Sequence, residues 1–164
     1  MAVPYILPGI ISALHNLFTS LWIGGLAFMI AILIPVVMKF FEDKEQGEQF
    51  LGKVQTRLKI IAVISIVGLM VTGILMSRFA STQPYYDGPF SFGFNTYTTL
   101  MGIKHILMIL MVAVAITKGA ILDNLKKQTK ALKKARVILI AVNLLLGIAV
   151  IVLSGMTSTI ASMA

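Results

Sequence analysis

Four long apolar stretches follow one another along the chain, separated by short polar segments. They cover about residues 4–38, 60–77 and 98–117, and about residue 137 to the C-terminus. A membrane-spanning helix needs about 20 consecutive apolar residues, so each stretch is long enough to cross a bilayer once. The pattern predicts an all-α integral membrane four-helix bundle in a single domain, residues 1–164, with helices at about 5–39, 59–79, 97–122 and 136–160.

The composition supports a membrane protein and excludes several other classes. Of the 164 residues, 58% are hydrophobic and 12% are charged, and the mean hydropathy is +0.95. Soluble domains are about half apolar and about a quarter charged. An ordinary soluble enzyme, a disordered chain and a nucleic-acid-binding domain are therefore excluded. The absence of cysteine also excludes disulfides and thiolate metal ligands.

The positive charges predict the direction in which the helices cross the membrane. Residues 39–59 hold five Lys and Arg, residues 118–136 hold seven, and the other two are Arg78 and Lys104. The positive-inside rule therefore places both basic segments in the cytoplasm and both termini outside. We expect a multi-pass protein of a prokaryotic plasma membrane, in contact with membrane lipids. No aromatic residues alternate with the basic run, so we expect no nucleic-acid partner.

Both histidines of the chain, His15 and His105, lie inside apolar stretches. Ionisable side chains in a membrane are costly, and they commonly face the bundle interior and mark a function. With both termini outside, the first and third helices run in the same direction. At about 1.5 Å per residue, both histidines lie roughly 10–15 Å below the outer surface. The sequence thus predicts two imidazoles at similar depth on two parallel helices.

Two imidazoles at one depth are suited to the axial ligation of a b-type haem, which makes His15 and His105 the predicted metal ligands. Trp22 lies on the helix face of His15, and Gly24 and Gly25 would allow a neighbouring helix or a flat ring to approach closely. Met101 and Met108 flank His105 at one helical turn on either side. Polar partners for the haem propionates are expected among Lys104, Arg78, Tyr85 and Tyr86.

Three other interpretations remain open. Thioethers and imidazoles also suit copper, so Met101, Met108 and the two histidines could form a copper site. The histidines could instead form interhelical hydrogen bonds, for example with Asn143. A third possibility is a cofactor-free accessory subunit of a larger membrane complex.

The first helix resembles the signature of CopD-like membrane proteins. In that family a His is followed seven residues later by Trp-x-Gly-Gly, and here His15 is followed by Trp22, Gly24 and Gly25. The third helix is similar around Lys104, although His105 matches no motif position of the family. This resemblance implies copper handling. The layout is also similar to four-helix protoporphyrinogen oxidases of the HemJ type, which are associated with haem.

The second histidine beside Lys104 favours haem over copper among these interpretations. We therefore expect a small membrane haem b protein with bis-histidine ligation in the outer half of the bundle. It would carry electrons between a quinone or another carrier and a redox partner protein, as a membrane oxidoreductase or an electron-transfer component. It would act alone, as a homo-oligomer or within a larger membrane complex.

Overall fold

A computed structural model describes residues 3–80, 95–121 and 129–163, with side chains described for 6–78, 95–120 and 129–163. The first helix comprises Val3–Phe28, a π-helical turn at Met29–Leu33 and Ile34–Phe40. The second is Lys44–Ala80, the third is Thr96–Ile116 followed by a π-helical turn at Thr117–Ile121, and the fourth is Lys130–Met163. All four described helices are long and apolar enough to cross a membrane. The all-α four-helix fold is confirmed.

Two helices extend further than predicted. The second begins at Lys44 rather than near residue 59, and the fourth runs from Lys130 to Met163 rather than over about 136–160. Hydropathy marks only the part of a helix inside the bilayer, whereas Glu, Gln and Lys also favour helix in water. The two extensions meet through an ion pair between Lys133 and Glu48.

The first helix continues through a proline without ending. Pro35 lacks an N–H group, so the carbonyl four residues earlier, at Ala31, loses its ordinary helical partner. The π-helical turn at Met29–Leu33 ends two residues before Pro35 and widens the helix at this point. The chain then stays helical to Phe40.

The helices pack as two pairs. The first lies along the second, the third along the fourth, and the first also contacts the fourth. The buried centre is small, and its apolar cluster is formed by Trp22, Ile23, Leu69, Met111 and Val150. Large apolar side chains cover the outside of all four helices. This arrangement is the one expected when lipid rather than water surrounds a bundle.

The close helix approach expected at Gly24 and Gly25 is not seen. Among the described residues, a Cβ atom at Gly24 would meet nothing within 4 Å, and one at Gly25 would meet only Leu58, at 3.7 Å. The rotation of the first helix turns Gly24 outward. The tight contacts between helices lie at two other glycines. A Cβ atom at Gly68 would overlap the ring of Phe18, and one at Gly147 would lie 3.0 Å from the Ile23 side chain.

This difference between glycines predicts opposite effects of alanine. We expect Gly68→Ala to lower stability by about 1–3 kcal/mol, because the Phe18 ring must move. Gly24→Ala should leave stability unchanged or raise it slightly, since alanine favours helix by up to about 1 kcal/mol over glycine. Thermal unfolding in detergent, followed by circular dichroism, measures both. Equal shifts in the two variants would contradict this packing.

Antiparallel packing gives the bundle two distinct ends. The end that holds His15 and His105 is here called the histidine end. The end that holds the extended charged parts of the second and fourth helices is called the basic end. The assignment of the basic end to the cytoplasm stays a prediction from the charge count.

Candidate functional site

A cavity of about 450 Å³ lies at the histidine end, and all four helices contribute to its wall. Small-molecule sites have volumes of about 300–1,000 Å³, so the cavity is large enough for an organic ligand. Of the predicted site residues, His15, Trp22, Met101, Lys104 and Met108 line it. The structure therefore brings together five of the eleven site residues that the sequence predicts.

His15 is held by a hydrogen bond between two helices. Its Nδ1 lies 2.8 Å from Thr72 Oγ1, and the Thr72 hydroxyl donates to the Gly68 carbonyl oxygen at 2.7 Å. That second contact joins two oxygens, so the single hydroxyl hydrogen must lie between them. Thr72 is therefore the acceptor and His15 Nδ1–H the donor. This network assigns the tautomer, in which Nε2 carries the electron pair that can bind a metal.

The neighbours of His15 in the cavity are rich in sulfur. Met101 and Met108 line the wall as the sequence predicts, and Met76 and Met111 join them. Trp22 is almost fully buried between the helices. These side chains make an apolar, polarisable wall around one imidazole.

Lys104 gives the cavity a positive charge. It is half-buried and lines the wall with His15, and no described carboxylate does so. Several hydroxyls of the wall already donate their hydrogens to their own helix. Examples are Ser154 to Val150 O at 2.8 Å and Thr157 to Leu153 O at 3.0 Å. The charge balance of the described wall therefore favours an anionic ligand.

His105 lies beside the cavity and is absent from its described wall. Its Nδ1–H donates to the Met101 carbonyl oxygen one turn earlier, at 2.7 Å, and the side chain is half-buried. Successive residues point about 100° apart around a helix, so Lys104 and His105 face different directions.

The remaining predicted site residues are not part of this wall. Gly24, Gly25 and Arg78 lie outside it. Arg78 is exposed near the end of the second helix. Tyr85 and Tyr86, predicted as propionate partners, lie outside the described residues.

No family model, curated protein or solved structure matches the chain. The likeness to CopD-like and HemJ-type proteins thus stays an expectation from the sequence motifs. In the described part of the chain, no three His, Cys, Asp or Glu side chains come together as a metal-ligating group. A metal at this end would therefore need the methionines or a porphyrin as further donors.

The fourth helix contributes wall residues that are not among those predicted from the sequence. Ser154, Thr157, Ser158 and Ala161 all line the cavity. Their spacing of three and four residues places them on one helix face, which is a signal that the sequence does contain. The role of Thr72 was not predicted either, because the sequence pattern does not pair it with a residue 57 positions away.

Proposed function

We propose that the protein holds a haem b in the cavity at the histidine end and takes part in membrane electron transfer. The observation that carries the proposal is the state of His15. It lines a cavity of about 450 Å³, and its Nδ1–H is fixed by Thr72, which leaves Nε2 as the ligating nitrogen. Ligating histidines in metalloproteins almost always donate their other N–H in this way. Haem would supply one-electron redox chemistry.

The charge and polarity of the wall support the same ligand. Haem b carries two propionates, and Lys104 supplies a cation without an acidic neighbour among the described wall residues. The apolar side chains of Trp22 and the methionines would exclude water from the ring. Such burial, with the choice of axial ligand, sets the reduction potential.

Two sources are available for a second axial ligand. The thioether of Met101 or Met108 already lines the cavity, whereas His105 lies outside its described wall. We therefore propose histidine–methionine ligation over the bis-histidine pair that the sequence predicts. Histidine–methionine ligation raises the reduction potential of haem, so a redox titration distinguishes the two arrangements.

The setting of this chemistry is proposed from the membrane fold. Electrons would pass between a quinone or another carrier and a redox partner protein, in the plasma membrane of a prokaryote. The protein would work alone, as a homo-oligomer or in a larger complex.

The first test is the absorption spectrum of the detergent-purified protein, oxidised and reduced with dithionite. We expect a Soret band together with sharp α and β bands in the reduced state. A colourless protein from a haem-sufficient host would overturn the proposal. Copper in the same sample, measured by elemental analysis, would then favour the CopD-like alternative.

Copper is the second candidate function because four methionines and His15 line one cavity. Cu(I) prefers such soft ligands. Lys104 argues against it, since a lysine cation in the wall repels a copper cation and attracts a propionate.

The Lys104→Gln variant separates the two candidates by the sign of its effect. If haem binds, loss of the cation should weaken haem binding about tenfold or more, because a charged hydrogen bond contributes about 1.5–3 kcal/mol. If Cu(I) binds, the same change should strengthen metal binding. Titration of the ligand-free protein with haem, and separately with Cu(I), measures both constants. Lys104→Arg, which keeps the charge, is the matched control.

A further inference from the structure

A second, smaller cavity lies towards the basic end of the bundle. Its volume is about 100 Å³, and all four helices contribute to its wall. Trp22 lines both this cavity and the larger one, and so it separates them. The two cavities share no other described residue of their walls.

The small cavity contains a buried polar group with an unmet hydrogen bond. Asn143 lines it and is only 4% exposed, and its Oδ1 finds no partner among the described residues. A buried polar atom without a partner is costly and rare, so its presence calls for a ligand or water that satisfies it. An amide oxygen can only accept, so the missing partner of Oδ1 is a hydrogen-bond donor.

Two lysines give this cavity a positive charge. Lys59 and Lys118 both line it, and the Lys59 ammonium donates one hydrogen to the Gly119 carbonyl oxygen at 2.6 Å. An ammonium group has three donors, so this bond does not exhaust Lys59. No aspartate or glutamate belongs to the described wall. An anion is the charge-complementary ligand.

Size narrows the choice of anion. The cavity volume of about 100 Å³ lies below the range of about 300–1,000 Å³ that is typical of sites for organic ligands. It suits a group with few heavy atoms, such as a phosphate. Both π-helical turns contribute to the wall, through Met29 in one and Lys118 and Gly119 in the other. Such turns recur at functional sites.

We propose that this cavity binds a phosphate group that carries a hydroxyl or amine donor. The lysines pair with the anionic oxygens, and the donor satisfies Asn143 Oδ1. Basic pockets between membrane helices on the cytoplasmic side bind the head groups of anionic lipids, and free hydrogen phosphate has the same chemistry. The site shares only Trp22 with the described wall of the proposed haem cavity and does not depend on haem binding.

The contribution of Lys59 and Lys118 to ligand binding is tested by native mass spectrometry of the delipidated protein with phosphatidic acid. We expect Lys59→Gln and Lys118→Gln each to weaken one-to-one binding by about fivefold or more, from about 1 kcal/mol per basic residue. The matched control is Lys53→Gln, an exposed lysine on the second helix that lies outside the cavity wall. Equal binding by all three variants would overturn the proposal.

The role of Asn143 is tested by the ratio of the affinities for two lipids rather than by the affinity for one. Phosphatidic acid offers a P–OH donor, whereas phosphatidylmethanol, its methyl ester, has none. We expect the wild-type protein to prefer phosphatidic acid and Asn143→Leu to lose that preference. A general loss of stability would not alter this ratio. A wild type without preference, or an Asn143→Leu variant that keeps it, would overturn the proposed role.

Inorganic phosphate distinguishes the two sources of the ligand. If it binds the delipidated protein with the same dependence on Lys59 and Lys118, the ligand is free phosphate. If phosphatidic acid binds with that dependence and inorganic phosphate does not, the ligand is a lipid head group. Binding of neither would overturn the site. None of these results depends on the haem spectrum, so the two proposals fail separately.

Discussion

The His15→Ala variant is expected to lose the haem absorption spectrum of the purified protein, whereas His105→Ala is expected to keep it. The reason is the position of the two side chains. His15 lines the cavity with Nε2 left to ligate, whereas His105 lies outside the described wall. The measurement is the Soret absorbance per protein, in the oxidised and dithionite-reduced states.

Added imidazole provides the control for a merely structural effect. In His15→Ala it should enter the space left by the side chain and restore a Soret band, because it replaces the missing ligand. Ser20→Ala, which changes another residue of the same wall, should keep the wild-type spectrum. Loss of the spectrum in both histidine variants would support the bis-histidine pair instead. An unchanged spectrum in His15→Ala would contradict haem ligation at this site.

The Thr72→Val variant is expected to bind haem about 10–100-fold more weakly than the wild type, the usual cost of removing a hydrogen-bond partner from a metal-ligating histidine. Valine has nearly the shape of threonine, so the helix packing is kept. His15 Nδ1–H loses its acceptor, and both the tautomer and the ring orientation become free. Titration of the haem-free variant, followed at the Soret band, gives the affinity.

Thr72→Ser is the matched variant because it keeps the hydroxyl. We expect its affinity to stay close to that of the wild type. If valine and serine weaken haem binding equally, the hydroxyl is not what orients His15. If neither does, the imidazole is held by other contacts, and the argument from Thr72 fails.

The four helices could be predicted from the sequence because apolar length is a local property of the chain. The ends were harder to predict, since Lys44 to Lys59 is helical for reasons of propensity rather than hydropathy. Depth predicted His15 near His105, helix face placed Met101 and Met108 beside His105, and Lys104 was expected as a propionate partner. In the structure Met101, Lys104 and Met108 line one cavity with His15, and His105 does not.

Helix rotation is the part that the sequence could not supply. One step around the third helix separates Lys104, which lines the cavity, from His105, which does not. The same limitation explains Gly24, which faces outward, and Gly68, which meets Phe18. Rotation depends on contacts between residues far apart in the chain, such as Thr72 with His15, and no local pattern encodes those.

The position of Trp22 makes its fluorescence an intrinsic probe of both cavities. It is the single tryptophan of the chain, and its indole forms part of the wall of both cavities. Emission from this one fluorophore therefore reports on two compartments at once. A haem would quench the tryptophan emission by energy transfer. A phosphate does not absorb at the wavelengths of that emission, so it would act only through the electric field of its charge. Binding in each of the two cavities should therefore change the Trp22 emission spectrum in a different way, and no added label is needed to measure it.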